Sequence, residues 1–243
     1  MPQSNPDWLG IRKNLVFPLS LDLGELAVRL GSISAYDRRG DVLFMDGFED
    51  GFAKWAGFVT GVSSAIQLST VTPKSGAFCL ALVVGAAAGD NDRIERDHPL
   101  VVDSVCGFEF SVRLSAFMSL IEWRQRTFDG ANQTLFTVRL NYTARTLSYR
   151  NSLGAFVQFA SNVNVETLNT QYHIGKLVVD GPSDRYVRFL YDGTAFSLAN
   201  IAGQESASGT LAQLRTEIYV EGNGAALSTT RIDDVVVTLN EPV

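Results

Sequence analysis

The stretch LFTVRLNYTARTLSYR, residues 135–150, alternates with a period of two. Phe136, Val138, Leu140 and Tyr142 interleave with Thr137, Arg139 and Asn141, and the pattern resumes at Leu147 and Tyr149 after a short polar turn. Successive side chains of an extended chain point to opposite faces. The spacing therefore puts the apolar set on one face of a β-hairpin and does not suit a helix. Similar runs occur in YHIGKLVVD, RYVRFLYD, FSLANI, LRTEIYVEG and RIDDVVVTL. Turn signals punctuate the chain at Asp129-Gly130, Asp180-Gly181-Pro182, Asp192-Gly193 and Gly222-Asn223-Gly224. Many short strands with such turns predict an all-β, antiparallel two-sheet sandwich over residues 42–243. Phe108, Phe110, Val112, Phe136, Val138 and Leu140 are its expected core. A chain of 243 residues can form this as one domain.

Residues 1–41 read differently. They hold three of the seven prolines and show no alternation. One short helix is expected over residues 22–30, with Asp22 as N-cap, Glu25 completing a capping box and Gly31 ending it. Leu23, Leu26, Ala27 and Leu30 form its apolar stripe. So short a helix does not hold alone in water. The segment is therefore read as an extended N-terminal arm used for docking, with Trp8, Phe17, Leu23, Leu26 and Leu30 as its assembly contacts.

The formal net charge is −6, which argues against a duplex nucleic-acid partner. No apolar run approaches the ~20 residues of a membrane helix. The start, MPQSNPDWLGIRKN, lacks the charged, apolar, small-residue order of a secretory signal, so neither export nor a membrane partner is expected. Cys79 and Cys106 both lie in strand-like runs and read as buried, reduced thiols.

Residues 42–55, VLFMDGFEDGFAKW, place Asp46, Glu49 and Asp50 within five positions before Trp55. This is an acid/base site, a metal site or a turn. Gly47-Phe48-Glu49-Asp50-Gly51 with Trp55, then Ser75-Gly76-Ala77-Phe78-Cys79-Leu80, then Ile232-Asp233-Asp234-Val235-Val236-Val237 follow one another along the chain. In content and order they resemble the signatures of jelly-roll carbohydrate-binding modules. The segment RYVRFLYDGTAFSL is similar instead to a strand pair of concanavalin A-like lectins and glucanases; both families are β-sandwiches. The first resemblance implies a structural calcium with Glu49 and Asp234 as carboxylate ligands and backbone carbonyls near Ser75. Otherwise Asp46 and Asp50 stabilise turns, and Asp233 and Asp234 mark a strand entry.

Glycosidases of the concanavalin-like fold carry carboxylates at alternating positions of one strand, and no Glu-x-Asp-x-x-Glu occurs here. Glu95 and Asp97, flanked by Arg93 and Arg96, read as solvated ion pairs beside a turn. His98 and His173 are the two histidines, and no Gly-x-Ser-x-Gly elbow accompanies them. No zinc spacing, P-loop or dinucleotide fingerprint appears. The chain is therefore expected not to be an enzyme. For sugar stacking the candidates are Trp123, Tyr142 and Tyr149, with Trp123 chosen as the ligand-binding residue. Arm plus sandwich looks like a tailed-bacteriophage virion structural protein, a capsid decoration protein or a tail-associated adhesin. Its expected partners are other virion proteins or copies of itself through the arm, and a surface glycan. A free-standing glycan-binding module is the alternative.

Overall fold

A computed structural model describes residues 35–99, 104–167 and 171–243. The helix expected over residues 22–30 and the arm contacts Trp8, Phe17, Leu23, Leu26 and Leu30 lie outside the described residues. Among the described residues there is no helix. The chain runs through β1 (Asp41–Asp46), β2 (Ala56–Thr60), β3 (Ala65–Ser69), β4 (Cys79–Val84), β5 (Asn91–Pro99), β6 (Val105–Arg113), β7 (Met118–Phe128) and β8 (Asn132–Asn141). It continues through β9 (Thr146–Arg150), β10 (Phe156–Ser161), β11 (His173–Asp180), β12 (Arg185–Tyr191), β13 (Thr194–Ser197), β14 (Gln204–Ala207), β15 (Gln213–Gly222) and β16 (Ser228–Leu239).

These strands form two antiparallel sheets. Sheet A runs β13-β12-β11-β6-β16-β4-β3, with β1 also on β16. Sheet B runs β10-β9-β8-β7-β15-β5-β2, with β14 on β8. The expected hairpin is β8–β9, with Leu140 opposite Leu147. All six expected core residues are fully buried between the sheets. One irregularity shapes sheet A. The β16 register against β6 slips between Asp233 and Val236, and Asp234 takes a left-handed φ of 48°. Before this bulge β16 pairs with β4 through Ile232 and Leu80; after it, with β1 through Val235 and Asp46.

Trp123 corrects an expectation. It is 0% exposed, stacked on Phe110 at 4.7 Å and edge-on to Phe189 at 5.2 Å. Its Nε1 donates to the Gly175 carbonyl at 3.0 Å, and a Cβ at residue 175 would lie 2.5 Å from the indole. Alternation puts Ile121, Trp123 and Gln125 on one face, and that face is the core, so Trp123 cannot stack on a ligand. Tyr149 likewise packs against the core, at 5.9 Å from Tyr186. Cys79 and Cys106 are buried and in no disulfide, and burial pushes the Cys106 thiol up to about 12, which leaves it unreactive.

The last residues of the predicted arm lie on their own sandwich. Tyr36 and Asp37 donate backbone N–H groups to Glu109, the latter at 3.1 Å. Lys176, fully buried on the outer face of sheet A, donates to the carbonyls of Asp37 and Arg39 at 3.2 and 3.3 Å.

Candidate functional site

The three motif stretches meet in space. Glu49 Oε1 accepts from the backbone N–H groups of Ala77 and Phe78 at 2.8 and 2.9 Å. Asp233 Oδ2 accepts from those of Lys74 and Ser75 at 2.8 and 3.1 Å, and Asp234 Oδ1 from Ser75 Oγ at 2.6 Å. All three carboxylates thus clasp residues 74–78. Gly76 has φ +62°, and a Cβ there would lie 2.2 Å from Glu49 Oε1, so the clasp requires glycine. Asp46 belongs to the neighbouring turn: it accepts from Trp55 Nε1 at 2.9 Å and from the Phe48 N–H at 3.2 Å.

This set does not fit the implied calcium. Asp234 Oδ2 has a cation already, the Lys74 ammonium at 2.8 Å, which also donates to Ser111 Oγ at 2.8 Å. Glu49 spends one oxygen on two amides. Calcium takes six to eight oxygens and tolerates no ammonium among them. Among the described residues, no group of three or more His, Cys, Asp or Glu side chains is placed to hold a metal. A chelator should therefore leave the melting temperature unchanged. Lys74→Met should cost about 1–3 kcal/mol, because Asp234 stays buried without its cation. A chelator-induced fall in melting temperature would contradict this.

The outer face of sheet B is where charge and aromatic groups converge. The alternation that turns Trp123 inward turns Glu122, Arg124 and Arg126 outward. Cross-strand register then builds three rows. Arg139, Glu122, Tyr219 and Arg93 form one across β8, β7, β15 and β5. Arg124, Glu217 and Glu95 form the next, and Arg126, Arg215 and Asp97 the third. Arg124 Nε donates to Glu122 at 2.5 Å, and its Nη1 lies 3.6 Å from Glu217, so it bridges the two carboxylates. Arg139 closes on Glu122 at 2.6 Å and Arg126 on Glu217 at 3.0 Å. Arg215 holds Glu95 at 3.1 Å and Asp97 at 2.6 Å. Asp97 is thereby held below the usual carboxylate range, chiefly by its hydrogen bond from Arg215.

Aromatic rings frame this lattice. Arg124 lies 4.1 Å over Tyr219, Arg139 3.5 Å over Phe156 and Arg93 4.3 Å over Phe58. Burial, with Glu221 nearby, pushes the Tyr219 hydroxyl up to about 12, so it stays a neutral donor. The ion pairs expected of Glu95 and Asp97 form, and Asp97 is solvated, but they do not lie beside a turn. Both residues sit on β5 within this lattice, with Glu95 buried.

Neither histidine joins it. His98 is buried, bonds Thr216 Oγ1 at 3.1 Å and is pushed down to about 4 by burial. His173 is buried too, between Asp192 Oδ2 at 2.5 Å and the Glu166 carbonyl at 2.9 Å.

No protein-family model matches this chain, and no curated protein matches it. Solved structures do. An endo-β-1,4-glucuronan lyase from the fungus Trichoderma reesei superposes with a TM-score of 0.57 at 13% identity, covering 81% of this chain and 95% of that one. The cellulose-induced protein Cip1 gives 0.55 at 14% identity, over 80% and 96%. A carbohydrate esterase from the Shiga toxin-encoding bacteriophage phi24B gives 0.52 at 12% identity, over 83% and 100%. These likenesses establish a shared sandwich fold. They also overturn the expectation that the chain is not an enzyme. Two of these three proteins are named as a lyase and an esterase, so the lack of familiar catalytic motifs in a sandwich of this fold is no ground for excluding catalysis.

Proposed function

We propose that this chain handles glycans on the outer face of sheet B. The observation that carries the reading is the aromatic and guanidinium lattice over β2, β5, β7, β8, β10 and β15. Sugar rings stack their C–H faces on aromatic side chains, and their hydroxyls bond to planar charged groups fixed in advance. Phe58, Tyr219 and Phe156 supply the rings; Arg93, Arg124, Arg126, Arg139 and Arg215, held by the buried Glu122, Glu217 and Glu95, supply groups that cannot swing away. The fold shared with proteins named for carbohydrate chemistry supports the same reading. Native electrophoresis in gels containing soluble polysaccharides tests it. At least one polymer should retard the chain, and the double variant Phe58→Ala/Tyr219→Ala should lose the retardation while keeping its melting temperature within a few degrees. Reducing ends released from the retarding polymer would mark turnover on the same face. No retardation by any polymer, or equal retardation of the variant, would contradict it.

A finer placing goes with this reading: a jelly-roll component of a bacteriophage particle, serving as capsid decoration or tail-associated adhesin. It is supported by the apolar arm of residues 1–41 and by exposed apolar side chains on edge strands. Val42 and Met45 on β1, Val59 on β2 and Leu68 on β3 are 37–52% exposed. Exposed apolar side chains of this kind suit coverage by a partner. Deleting residues 1–34 should abolish assembly with partner copies or virion proteins and leave the sandwich folded. Assembly that survives the deletion would remove this placing.

A further inference from the structure

We infer that the glycan taken by the outer face of sheet B is acidic, a polymer carrying carboxylate or sulfate groups; this rests on the reading that the face holds a glycan. The charges on the face are layered. The side chains of Glu122 and Glu217 are each 1% exposed and that of Glu95 is 11%, whereas those of Arg124, Arg126, Arg215, Arg139 and Arg93 are 18–33% exposed. Glu122, Glu217 and Glu95 therefore form the floor and guanidinium groups the layer above it; of the four carboxylates only Asp97, 44% exposed and paired with Arg215, reaches solvent. The three rows hold five arginines against four carboxylates, in a chain whose formal net charge is −6. The surplus of positive charge is local and concentrated where a ligand would lie.

The pairing of Arg126 with Arg215 points the same way. They stand directly opposite each other on β7 and β15. Like charges in that position destabilise a sheet. Arg126 reaches Glu217 through Nη2 and Gln133 Oε1 through Nη1, while Arg215 holds Asp97 through Nε and Nη2 and Glu95 through Nη1. Arg126 Nε is buried and donates no hydrogen bond. An anion lying over the two guanidiniums would offset the repulsion these partners leave and accept the remaining Nη hydrogens, in the planar geometry that carboxylate and sulfate share. A neutral sugar offers no such relief.

Affinity electrophoresis of the full chain compares four polymers: polygalacturonate, its methyl ester, dextran sulfate and a neutral β-glucan. Retardation by polygalacturonate, dextran sulfate or both is expected, and which of the two retards identifies the anionic group. Esterification should weaken polygalacturonate binding at least tenfold, and added salt should weaken it further. Arg126→Gln should weaken binding of the retarding acidic polymer about tenfold, and Arg126→Lys should restore only part, because an ammonium keeps the charge without the fork. Equal binding of the methyl ester or the neutral glucan would overturn the inference while leaving glycan binding intact. Binding that is indifferent to Arg126→Gln would overturn this assignment of the arginine pair. Failure to bind any polymer would overturn the underlying reading itself.

Discussion

Lys176→Met should destabilise the fold by about 3–5 kcal/mol, because it takes the fully buried cation out of a cluster of carboxylates packed around it. Lys176 is 0% exposed on the outer face of sheet A. Its Nζ lies 2.5 Å from Glu241 Oε1 and 3.5 Å from Asp37 Oδ2. Glu241 also takes Arg188 at 2.6 Å and Thr238 Oγ1 at 2.6 Å. Glu109, one strand away on β6, is raised by burial and eased by the Tyr36 and Asp37 amides. The lysine thus ties both ends of the described chain, residues 36–39 and Glu241, onto one sheet. Its loss should appear in chemical denaturation and as a melting temperature lower by roughly 6–20 °C. Protease sensitivity should rise first near residues 35–40. A loss below about 1 kcal/mol would show that the cluster contributes no net stability.

Asp92→Asn should have the opposite sign. Asp92 is 0% exposed, and neither carboxylate oxygen has a hydrogen-bond partner. Burial, with Asp90 adding to it, pushes its carboxyl from 3.8 up to about 7. Between those values the folded chain holds a proton that the unfolded chain has lost. Stability therefore falls as pH rises through this window and levels off above it. Each tenfold change in proton affinity is worth about 1.4 kcal/mol, so the full penalty at pH 8 is about 4 kcal/mol. His98 slopes the other way. Its folded value near 4 lies below the ordinary 6.5, so its contribution is lost as pH falls through that range. Wild-type curves alone would blur the two, and the difference between variant and wild type separates them. Relative to wild type, Asp92→Asn should gain stability progressively from pH 4 to pH 8, by up to about 4 kcal/mol less the cost of a buried amide. A difference that does not change with pH would contradict the assignment.

These two residues show what sequence pattern leaves hidden. Alternation locates the core through Phe136, Val138 and Leu140, and the order of three short motifs anticipates that Glu49, residues 74–78 and Asp234 meet. It cannot show that Lys74 fills the place of an ion, since Lys74 and Asp234 meet only through tertiary packing. Alternation groups Trp123 with Ile121 and Gln125 but does not say which face is core. A polar residue in a strand reads as solvent-facing by default, so Asp92 and Lys176 give no warning of their burial. The lattice on sheet B is half legible: Glu122, Arg124 and Arg126 alternate outward in the sequence. The other half is register, which sets Glu217 against Arg124 and Arg215 against Arg126. No local signal in SLIEWRQRTF encodes its partner strand.

Amide chemical-shift mapping of the full chain, titrated with oligogalacturonates and separately with cello-oligosaccharides, tests most directly whether the outer face of sheet B is the glycan site. Shifts are predicted to gather at Arg93, Glu122, Arg124, Arg126, Arg139, Arg215 and Tyr219, with Ile174, Lys176 and Arg188 on the outer face of sheet A unmoved. Shifts gathered on sheet A or on the β1–β3 edge, or no shifts at saturating concentrations of either oligosaccharide, would contradict it.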